Sequence, residues 1–101
     1  MILITTTCGS RKEAEKITRM LLHEKLIVCV NMWPVRSMYL WGNKIERAGE
    51  WMVMCKTKNP LADRAARQIH KLHSYKLPII EQWTVTRVSK GVENWISEFT
   101  Q

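Results

Sequence analysis

A long β-hairpin in the middle of the chain places the strongest constraint on its fold. Two apolar and aromatic runs extend from about Val28 to Thr57 on either side of Gly42-Asn43, and glycine followed by asparagine is typical of a two-residue type II′ turn. Each arm has roughly 14 residues, or about 45 Å of extended strand, whereas a compact domain of this length has a radius of gyration of only about 13 Å. We therefore expect the hairpin to bend or to protrude from the domain.

Apolar residues occupy both faces of this hairpin. Tyr39 and Trp41 share one side-chain parity, and Met38 and Leu40 share the other. Because successive side chains of a strand point to opposite faces, each face of the hairpin exposes apolar surface unless another element covers it. We infer that another copy of the chain provides this cover, and we expect an oligomer with sites between its subunits.

The length of the chain, 101 residues, predicts a single domain covering residues 1–101 and large enough to bury a core without disulfide bonds. No apolar run approaches the roughly 18 residues of a membrane span, and the first residues lack the basic segment and cleavage site of a secretory signal. The three cysteines, an odd number at irregular spacing, do not form a disulfide framework. We therefore expect a cytoplasmic protein with no membrane partner.

The formal net charge of +7 raises the question of a nucleic-acid partner. Lysine and arginine are scattered along the chain among glutamates, and no basic block alternates with exposed aromatic residues. A charged, soluble surface explains this distribution better than nucleic-acid binding does. The sequence also lacks a Cys-x-x-Cys motif, a glycine-rich phosphate loop and a Gly-x-Ser-x-Gly motif. We therefore expect no catalytic residues and no enzymatic activity.

Hydrophobic periodicity and turn residues predict an alternation of strands and helices along the whole chain. The expected bounds are Ile2 to Thr7 for the first strand, Ser10 to Lys25 for the first helix, Ile27 to Trp41 and Lys44 to Thr57 for the hairpin, Asn59 to His73 for the second helix, Ile79 to Val88 for the fourth strand and Val92 to Phe99 for the last helix. The order β-α-β-β-α-β plus a C-terminal helix predicts an α+β fold of the ferredoxin-like split βαβ type. In that fold the helices cover one face of an antiparallel sheet.

Two helix starts carry specific signals. Ser10 followed three residues later by Glu13 has the form of a capping box. Asn59 followed by Pro60 has the form of an N-cap with proline at the first helical position. We expect both helices to begin at these residues.

Pro34 interrupts the first arm of the hairpin and marks a bulge, a bend or an edge strand, since proline cannot donate to a ladder. An unbroken register from the turn places Cys29 opposite Lys56 and Val30 opposite Cys55, with the two thiols on opposite faces. A one-residue bulge at Pro34 would instead bring Cys29 opposite Cys55. The sequence leaves both registers open, and it leaves each cysteine either as a small buried apolar residue or as a metal ligand.

Histidines and alternating charges supply the remaining candidate groups. His70 and His73 are three residues apart on the second helix and could share a metal, or they could simply complement the dipole at its C-terminus. Lys44, Glu46, Glu50 and Lys56 alternate in charge along the second arm. They could protect an exposed strand edge or form a polar site around a small ligand.

Spaced residues along nearly the whole chain resemble the CutA divalent-cation tolerance proteins. The similarity rests on Cys29-Val30-Asn31, Pro34, Ser37-x-Tyr39-x-Trp41, Gly42-x-Lys44-x-Glu46, Glu50, Lys56-Thr57, His73-x-Tyr75-x-x-Pro78 and Trp95-Ile96. The resemblance implies a ferredoxin-like protomer, a homotrimer joined through long hairpins, and a role in tolerance of copper or other divalent cations. It also implies kinship with the PII signalling trimers, so a PII-like regulator that binds a nucleotide or a partner protein is the alternative function.

The family resemblance implies a metal site at Cys29 and His73. It also implies a ligand site in the clefts between subunits, built from Tyr39, Trp41, Lys44, Glu46, Lys56 and Tyr75. Ser74, Lys76 and Ile79 depart from the family pattern around His73. Because these departures remove acidic residues and add a cation, we expect weaker divalent-cation binding there than in other members.

Overall fold

The computed structural model describes all residues, 1–101, as four strands and three helices. The elements are β1 (Ile2–Cys8), α1 (Arg11–His23), β2 (Cys29–Trp41), β3 (Lys44–Thr57), α2 (Asn59–Leu72), β4 (Ile80–Thr84) and α3 (Val92–Phe99). This order confirms the predicted α+β fold.

The four strands form one antiparallel sheet in the order β2-β3-β1-β4, so that β2 and β4 are the two edges. Alternate residues of β1 and β3, such as Ile4 and Val53, join a single core cluster with Ile17 and Leu21 of α1 and Ile69 of α2. The two long helices therefore cover one face of the sheet, as the ferredoxin-like prediction requires. Neither α1 nor α2, which form the core cluster with the sheet, packs on the opposite face.

The hairpin keeps an unbroken register over its whole length. Gly42 adopts φ 63° in the turn, and Cys29 lies opposite Lys56 while Val30 lies opposite Cys55. The alternative register with a bulge at Pro34 is therefore wrong, and the thiols of Cys29 and Cys55 are on opposite faces. A proline is tolerated at this position because β2 is an edge strand.

The hairpin extends well beyond the helical layer. The molecule measures 47 × 26 × 21 Å, and its radius of gyration is 14.3 Å. At the tip, Met38, Leu40, Trp41 and Ile45 are each between 66% and 76% exposed. The prediction of a protruding hairpin is confirmed.

The two helix starts differ from their predictions in detail. The Ser10 hydroxyl accepts the Glu13 N–H at 3.1 Å, as in a capping box. The Glu13 carboxylate does not complete that motif, because it accepts the Ser74 N–H at 3.2 Å and so joins α1 to the segment after α2. Asn59 is not the N-cap of α2. Lys58 occupies the cap position with no side-chain hydrogen bond.

The C-terminal part is less regular than predicted. β4 ends at Thr84 instead of Val88, because the antiparallel partner strand β1 begins at Ile2, opposite Thr84. One further bond follows, from the Val85 N–H to the Met1 carbonyl at 2.9 Å. α3 has the predicted bounds but buries only Ile96. None of the helices has the length and apolar character that crossing a membrane requires.

Candidate functional site

The sequence-predicted site residues fall into three regions of the protomer. Tyr39, Trp41, Lys44 and Glu46 lie at the hairpin tip, Cys29 and Lys56 lie at the hairpin base, and His73 and Tyr75 lie in the segment after α2. Neither of the two main surface pockets of the protomer brings the three groups together.

The hairpin tip presents its four predicted residues as two cross-strand pairs. Tyr39 lies opposite Glu46, and Trp41 lies opposite Lys44. The two aromatic side chains are 46% and 66% exposed, because the tip extends beyond both long helices. The tip of an isolated protomer is thus an open aromatic and charged surface.

The hairpin base carries Cys29 and Lys56 on the helix-free face. The Lys56 ammonium donates to the Asn31 side-chain oxygen at 2.9 Å, and Leu3 is the β1 residue opposite Lys56. Because His73 contacts Thr6, three residues farther along β1, Cys29 and His73 are separated by about 10 Å along the sheet. A site that contains both residues therefore has to draw them from different subunits.

His73 is buried against the end of β1. Its Nδ1 accepts the Tyr75 N–H at 3.2 Å, so the ring hydrogen resides on Nε2, which donates to the Thr7 carbonyl at 2.9 Å and lies 3.3 Å from the Thr6 hydroxyl. His73 is also the C-cap of α2 and has left the helical conformation. It therefore does not share a helical face with the exposed His70, and the two histidines form no common site.

Tyr75 links the segment after α2 to the hairpin. Its hydroxyl donates to the Glu50 carboxylate at 2.7 Å, and Glu50 is only 9% exposed. Burial raises the pKa of Glu50, but hydrogen bonds from the hydroxyl groups of Ser37, Tyr75 and Thr7 outweigh it and hold that pKa below its ordinary value. Glu50 is thus a buried carboxylate that keeps its negative charge.

The pKa of the Tyr75 phenol shifts in the opposite direction, above its ordinary value. Burial, the hydrogen bond to Glu50 and the charge of that carboxylate all raise the pKa of Tyr75. Tyr75 therefore remains neutral, and its hydroxyl donates a hydrogen bond to the charged Glu50 carboxylate.

An open cleft of about 260 Å³ lies beside this pair on the sheet. Its lining consists of Thr6, Thr7, Ser37, Met38, Tyr39, Glu50, Met52, Ile79 and Glu81. Two carboxylates and several hydroxyl groups face the cleft, and no lysine or arginine lines it. Such a surface favours a cation or a hydroxyl-rich small molecule over an anion.

A second group of potential metal ligands lies on the helix-covered face of the sheet, where the end of β1 meets α1 and the end of α2. Donor atoms of Cys8, Glu13 and His73 all lie within 4.8 Å of one another. Burial, followed by the charges of Glu13 and Glu50, raises the pKa of the Cys8 thiol to about 12. In the metal-free protein Cys8 is therefore a neutral thiol.

Sequence reasoning predicted His73 and Tyr75 but missed the residues that surround them. The sequence assigns Glu13 to a capping box, offers Glu50 only as one of several alternating charges, and gives no sign that Cys8 lies beside His73. These residues lie in elements far apart in sequence, so their spacing gave no signal. The alternation along β3 and the place of Glu50 in the family pattern are the signals that could have identified it.

Comparison with known proteins gives a consistent result over the whole chain. The family profile described as CutA1 divalent ion tolerance protein matches residues 2–99. The divalent-cation tolerance protein CutA of Archaeoglobus fulgidus is 36% identical over 95 residues, which cover 94% of this chain and 93% of that protein. The protein of the same name from Pyrococcus horikoshii is 35% identical over 101 residues, which cover 100% and 99%.

A solved structure resembles this chain equally closely. The crystal structure of CutA1 from Pyrococcus horikoshii superposes with a TM-score of 0.96 at 34% identity, covering 100% of this chain and 99% of that one. The fold described above is therefore shared over its full length.

Proposed function

The chain belongs to the CutA1 divalent ion tolerance protein family, and we propose that it acts as a homotrimer that binds a divalent cation, copper in particular, or a small ligand in the clefts between its subunits. The cation or ligand is cargo in this proposal, and the protein carries out no catalysis. The relatives described above are named as tolerance proteins, which agrees with a binding role.

The observation that supports the proposal most strongly is the uncovered apolar face of the sheet. Trp33, Met52, Met54 and Trp83 share the face opposite the helices, according to the strand register. Trp33 is 39% exposed and Trp83 is 53% exposed in the isolated protomer. Monomeric proteins rarely expose a contiguous apolar surface of this kind. Cover by the same face of neighbouring copies accounts for it.

The hairpin tip also exposes apolar side chains that a neighbouring subunit could cover. Met38, Leu40, Trp41 and Ile45 have no covering element in their own protomer. A closed ring of three copies would let each tip pack on the next subunit, and this arrangement also gives every subunit the same contacts. The aromatic and charged tip residues Tyr39, Trp41, Lys44 and Glu46 then become part of the wall of a cleft between subunits.

The composition of the cleft beside Glu50 and Tyr75 supports a cation or a polyhydroxy ligand as the occupant. Glu50 holds its charge while buried, and no basic side chain lines the cleft. The same composition disfavours a nucleotide, whose phosphates would meet two carboxylates. The PII-like alternative therefore has no observation in its favour.

We place the protein in the cytoplasm. All three cysteines are free thiols in the structure, a state that a reducing compartment preserves. Fractionation of cells that express a tagged chain is the direct measurement.

Calorimetric titration tests the binding part of the proposal. We would titrate Cu²⁺ and Zn²⁺ into the wild type and into the Cys29→Ser and His73→Ala variants. The predicted result is weaker binding in both variants, since thiolate and imidazole are ligands that copper and zinc prefer. Indistinguishable binding in all three proteins would remove Cys29 and His73 from the site.

A pair of charge substitutions tests the assembly part. Leu40 is 76% exposed at the hairpin tip, whereas Leu22 is 39% exposed on α1, away from the proposed interface. We expect Leu40→Lys to dissociate the assembly at micromolar concentration, because it buries a charge in the interface. The control Leu22→Lys should leave the mass unchanged. Equal masses for both variants would exclude the hairpin tip from the interface.

A further inference from the structure

The fold gathers basic residues of α1 and α2 on one layer of the molecule, although these residues are scattered along the sequence. The exposed cations of the two helices are Lys12, Lys16, Arg19, Arg64, Arg67 and Lys71. The strands are nearly neutral by comparison, since their basic residues Arg36, Lys44, Arg47 and Lys56 are offset by Glu46, Glu50 and Glu81. The helical layer therefore carries the larger part of the formal net charge of +7.

The exposed cations form one stripe on each helix. On α1 the spacing from Lys12 to Lys16 to Arg19 is four and then three residues, and on α2 the three cations are three and then four residues apart. Side chains at these spacings are neighbours on a helix surface, and like charges there repel each other. Helix formation is therefore not the reason for these cationic stripes, which consist of Lys12, Lys16 and Arg19 on α1 and Arg64, Arg67 and Lys71 on α2.

The acidic residues of the two helices do not neutralise the cationic stripes. Glu15 pairs with Arg11 at 2.9 Å, outside both stripes. Glu13 and Asp63 accept hydrogen bonds from uncharged groups. No residue of either stripe forms a salt bridge, so these positive charges face solvent without a counter-ion from the protein.

The two cationic stripes share the outer surface of the helical layer. The α1 C-cap Glu24 accepts a hydrogen bond from Gln68 of α2 at 2.8 Å. Lys12 and Lys16 line the same surface depression of about 310 Å³ as Leu72 of α2. Packed helices lie about 8–10 Å apart, and seven residues of a helix extend over about 10 Å. The stripes thus form a basic surface of roughly 10 Å in both directions.

The size of this basic surface favours an extended polyanion over a single phosphate group. One phosphate can contact only one or two of the cations, whereas a nucleic-acid backbone offers a charge to each of them. The grooves of B-form DNA separate two phosphate backbones by about 6–12 Å, which is similar to the separation of the two stripes. The proposed trimer leaves this surface free, because its interface uses the opposite face of the sheet and the hairpin tip.

The composition of the two helices narrows the choice of polyanion. Neither α1 nor α2 contains phenylalanine, tyrosine or tryptophan, on which the bases of a single strand would stack. Apolar residues such as Ile17 and Ile69 are buried in the core, so they cannot insert into a membrane as those of an interfacial helix do. Contacts between cations and the phosphates of a duplex need neither feature.

We propose that the cationic stripes of α1 and α2 bind the phosphate backbone of duplex DNA without reading its sequence. The order of residues along the chain disfavours nucleic-acid binding, because it contains no basic block, but the fold brings the separated cations together. This interaction goes beyond the proposed role in cation tolerance and does not depend on it.

Fluorescence anisotropy of a labelled DNA duplex of about two helical turns tests the proposal. The wild-type protein should bind the duplex at low salt, and the logarithm of its affinity should fall linearly with the logarithm of the salt concentration. The variant Lys16→Glu/Arg67→Glu removes one cation from each stripe. We expect it to bind at least about tenfold more weakly, with a salt slope that is smaller by about 2.

A matched variant separates the cationic stripes from the net charge. Arg87 and Lys90 are exposed in the segment between β4 and α3, so Arg87→Glu/Lys90→Glu changes the net charge equally outside the helical layer. We expect this control to retain the wild-type salt slope and an affinity within about threefold of the wild type. If the charge-reversed helical variant fails to fold, Lys16→Gln/Arg67→Gln takes its place and should show the same loss of slope.

Three results would overturn the proposal. Equal weakening in the helical variant and the control would show that net charge alone attracts the DNA. Equal or tighter binding of a single strand of the same length would exclude recognition of a duplex. Binding of the wild type to phosphatidylserine vesicles but not to the duplex would assign the basic surface to an anionic membrane instead.

Discussion

At the scale of single residues, the contact between Glu50 and Tyr75 joins the hairpin to the segment that follows α2. The Tyr75 hydroxyl donates to a carboxylate that is 9% exposed. A hydrogen bond to a charged, buried acceptor is stronger than one between neutral groups. This contact holds Glu50, a residue of the 260 Å³ cleft, against the segment that follows α2.

The pH dependence of stability follows from the lowered pKa of Glu50. Because its folded pKa lies below the ordinary 4.5, its contribution is complete above about that pH and is lost as the pH falls through the folded value. We expect Glu50→Gln to lower the unfolding free energy by about 1–3 kcal/mol at neutral pH. This difference from the wild type should shrink below pH 4.5.

Denaturant unfolding of the metal-free protein at one protein concentration measures this effect. The pH range is roughly 3 to 7, which includes the range in which carboxylates titrate. The exposed Glu98 of α3 gives the control variant Glu98→Gln, which should differ little from the wild type at any pH. A difference for Glu50→Gln that grows as the pH falls would contradict the assigned direction.

The sequence predicted individual residues well where a local rule governs them. Ser10 caps α1 as expected because its hydrogen bond to Glu13 spans only three residues. The carboxylate of Glu13 could not be placed in the same way, since its partner Ser74 lies 61 residues away. The ligand groups around His73 were missed for the same reason.

At the scale of elements, the hairpin depends on the backbone geometry of its turn. Gly42 has φ 63°, a left-handed conformation that other residues adopt only with strain. The turn is exposed, so packing does not contribute to this requirement. The pattern Gly-Asn therefore predicts the turn, whereas the register beyond Pro34 follows from the absence of a bulge there.

Alanine at two glycines of the hairpin separates turn strain from strand propensity. We expect Gly42→Ala to destabilise the protein by about 1 kcal/mol. Gly49 lies in β3 with ordinary φ and open space around a Cβ, so Gly49→Ala should be neutral or slightly stabilising. Urea unfolding of both variants gives the comparison, and equal effects would show that the turn conformation is not the cause.

The first helix provides a second test at this scale. Ser10 is the only side chain that caps α1, through its bond to the Glu13 N–H. Replacing it by alanine should cost about 1 kcal/mol of stability. The same urea experiment measures this cost, and Ser97→Ala on the exposed side of α3 serves as the control. No loss in Ser10→Ala would mean that solvent satisfies the Glu13 N–H equally well.

Element bounds were predictable where the deciding signal is local and less so where it is a partner strand. The pattern from Ile79 to Val88 favours a longer strand than the five residues of β4. β1 offers no residue to pair beyond Ile2. The length of β4 thus follows the length of its pairing with β1, which periodicity within β4 does not show.

At the scale of the whole molecule, the sheet is apolar on both faces and has helices on only one of them. The lone protomer therefore leaves a large apolar surface uncovered, and we expect the subunit contacts of the proposed trimer to contribute to its stability. Because assembly stabilises only the folded state, the unfolding temperature should rise with protein concentration.

Thermal unfolding at a series of protein concentrations measures this coupling. We expect a higher midpoint at each higher concentration for the wild type and a weaker dependence for Leu40→Lys. A midpoint that does not change with concentration in either protein would indicate that folding and assembly are independent.

The mass of the wild type in dilute solution tests the central claim most directly. Sedimentation equilibrium at micromolar concentration should give three times the protomer mass of 11.9 kDa. A mass of 11.9 kDa under these conditions would show that the apolar face and the hairpin tip remain in water, and it would contradict the account.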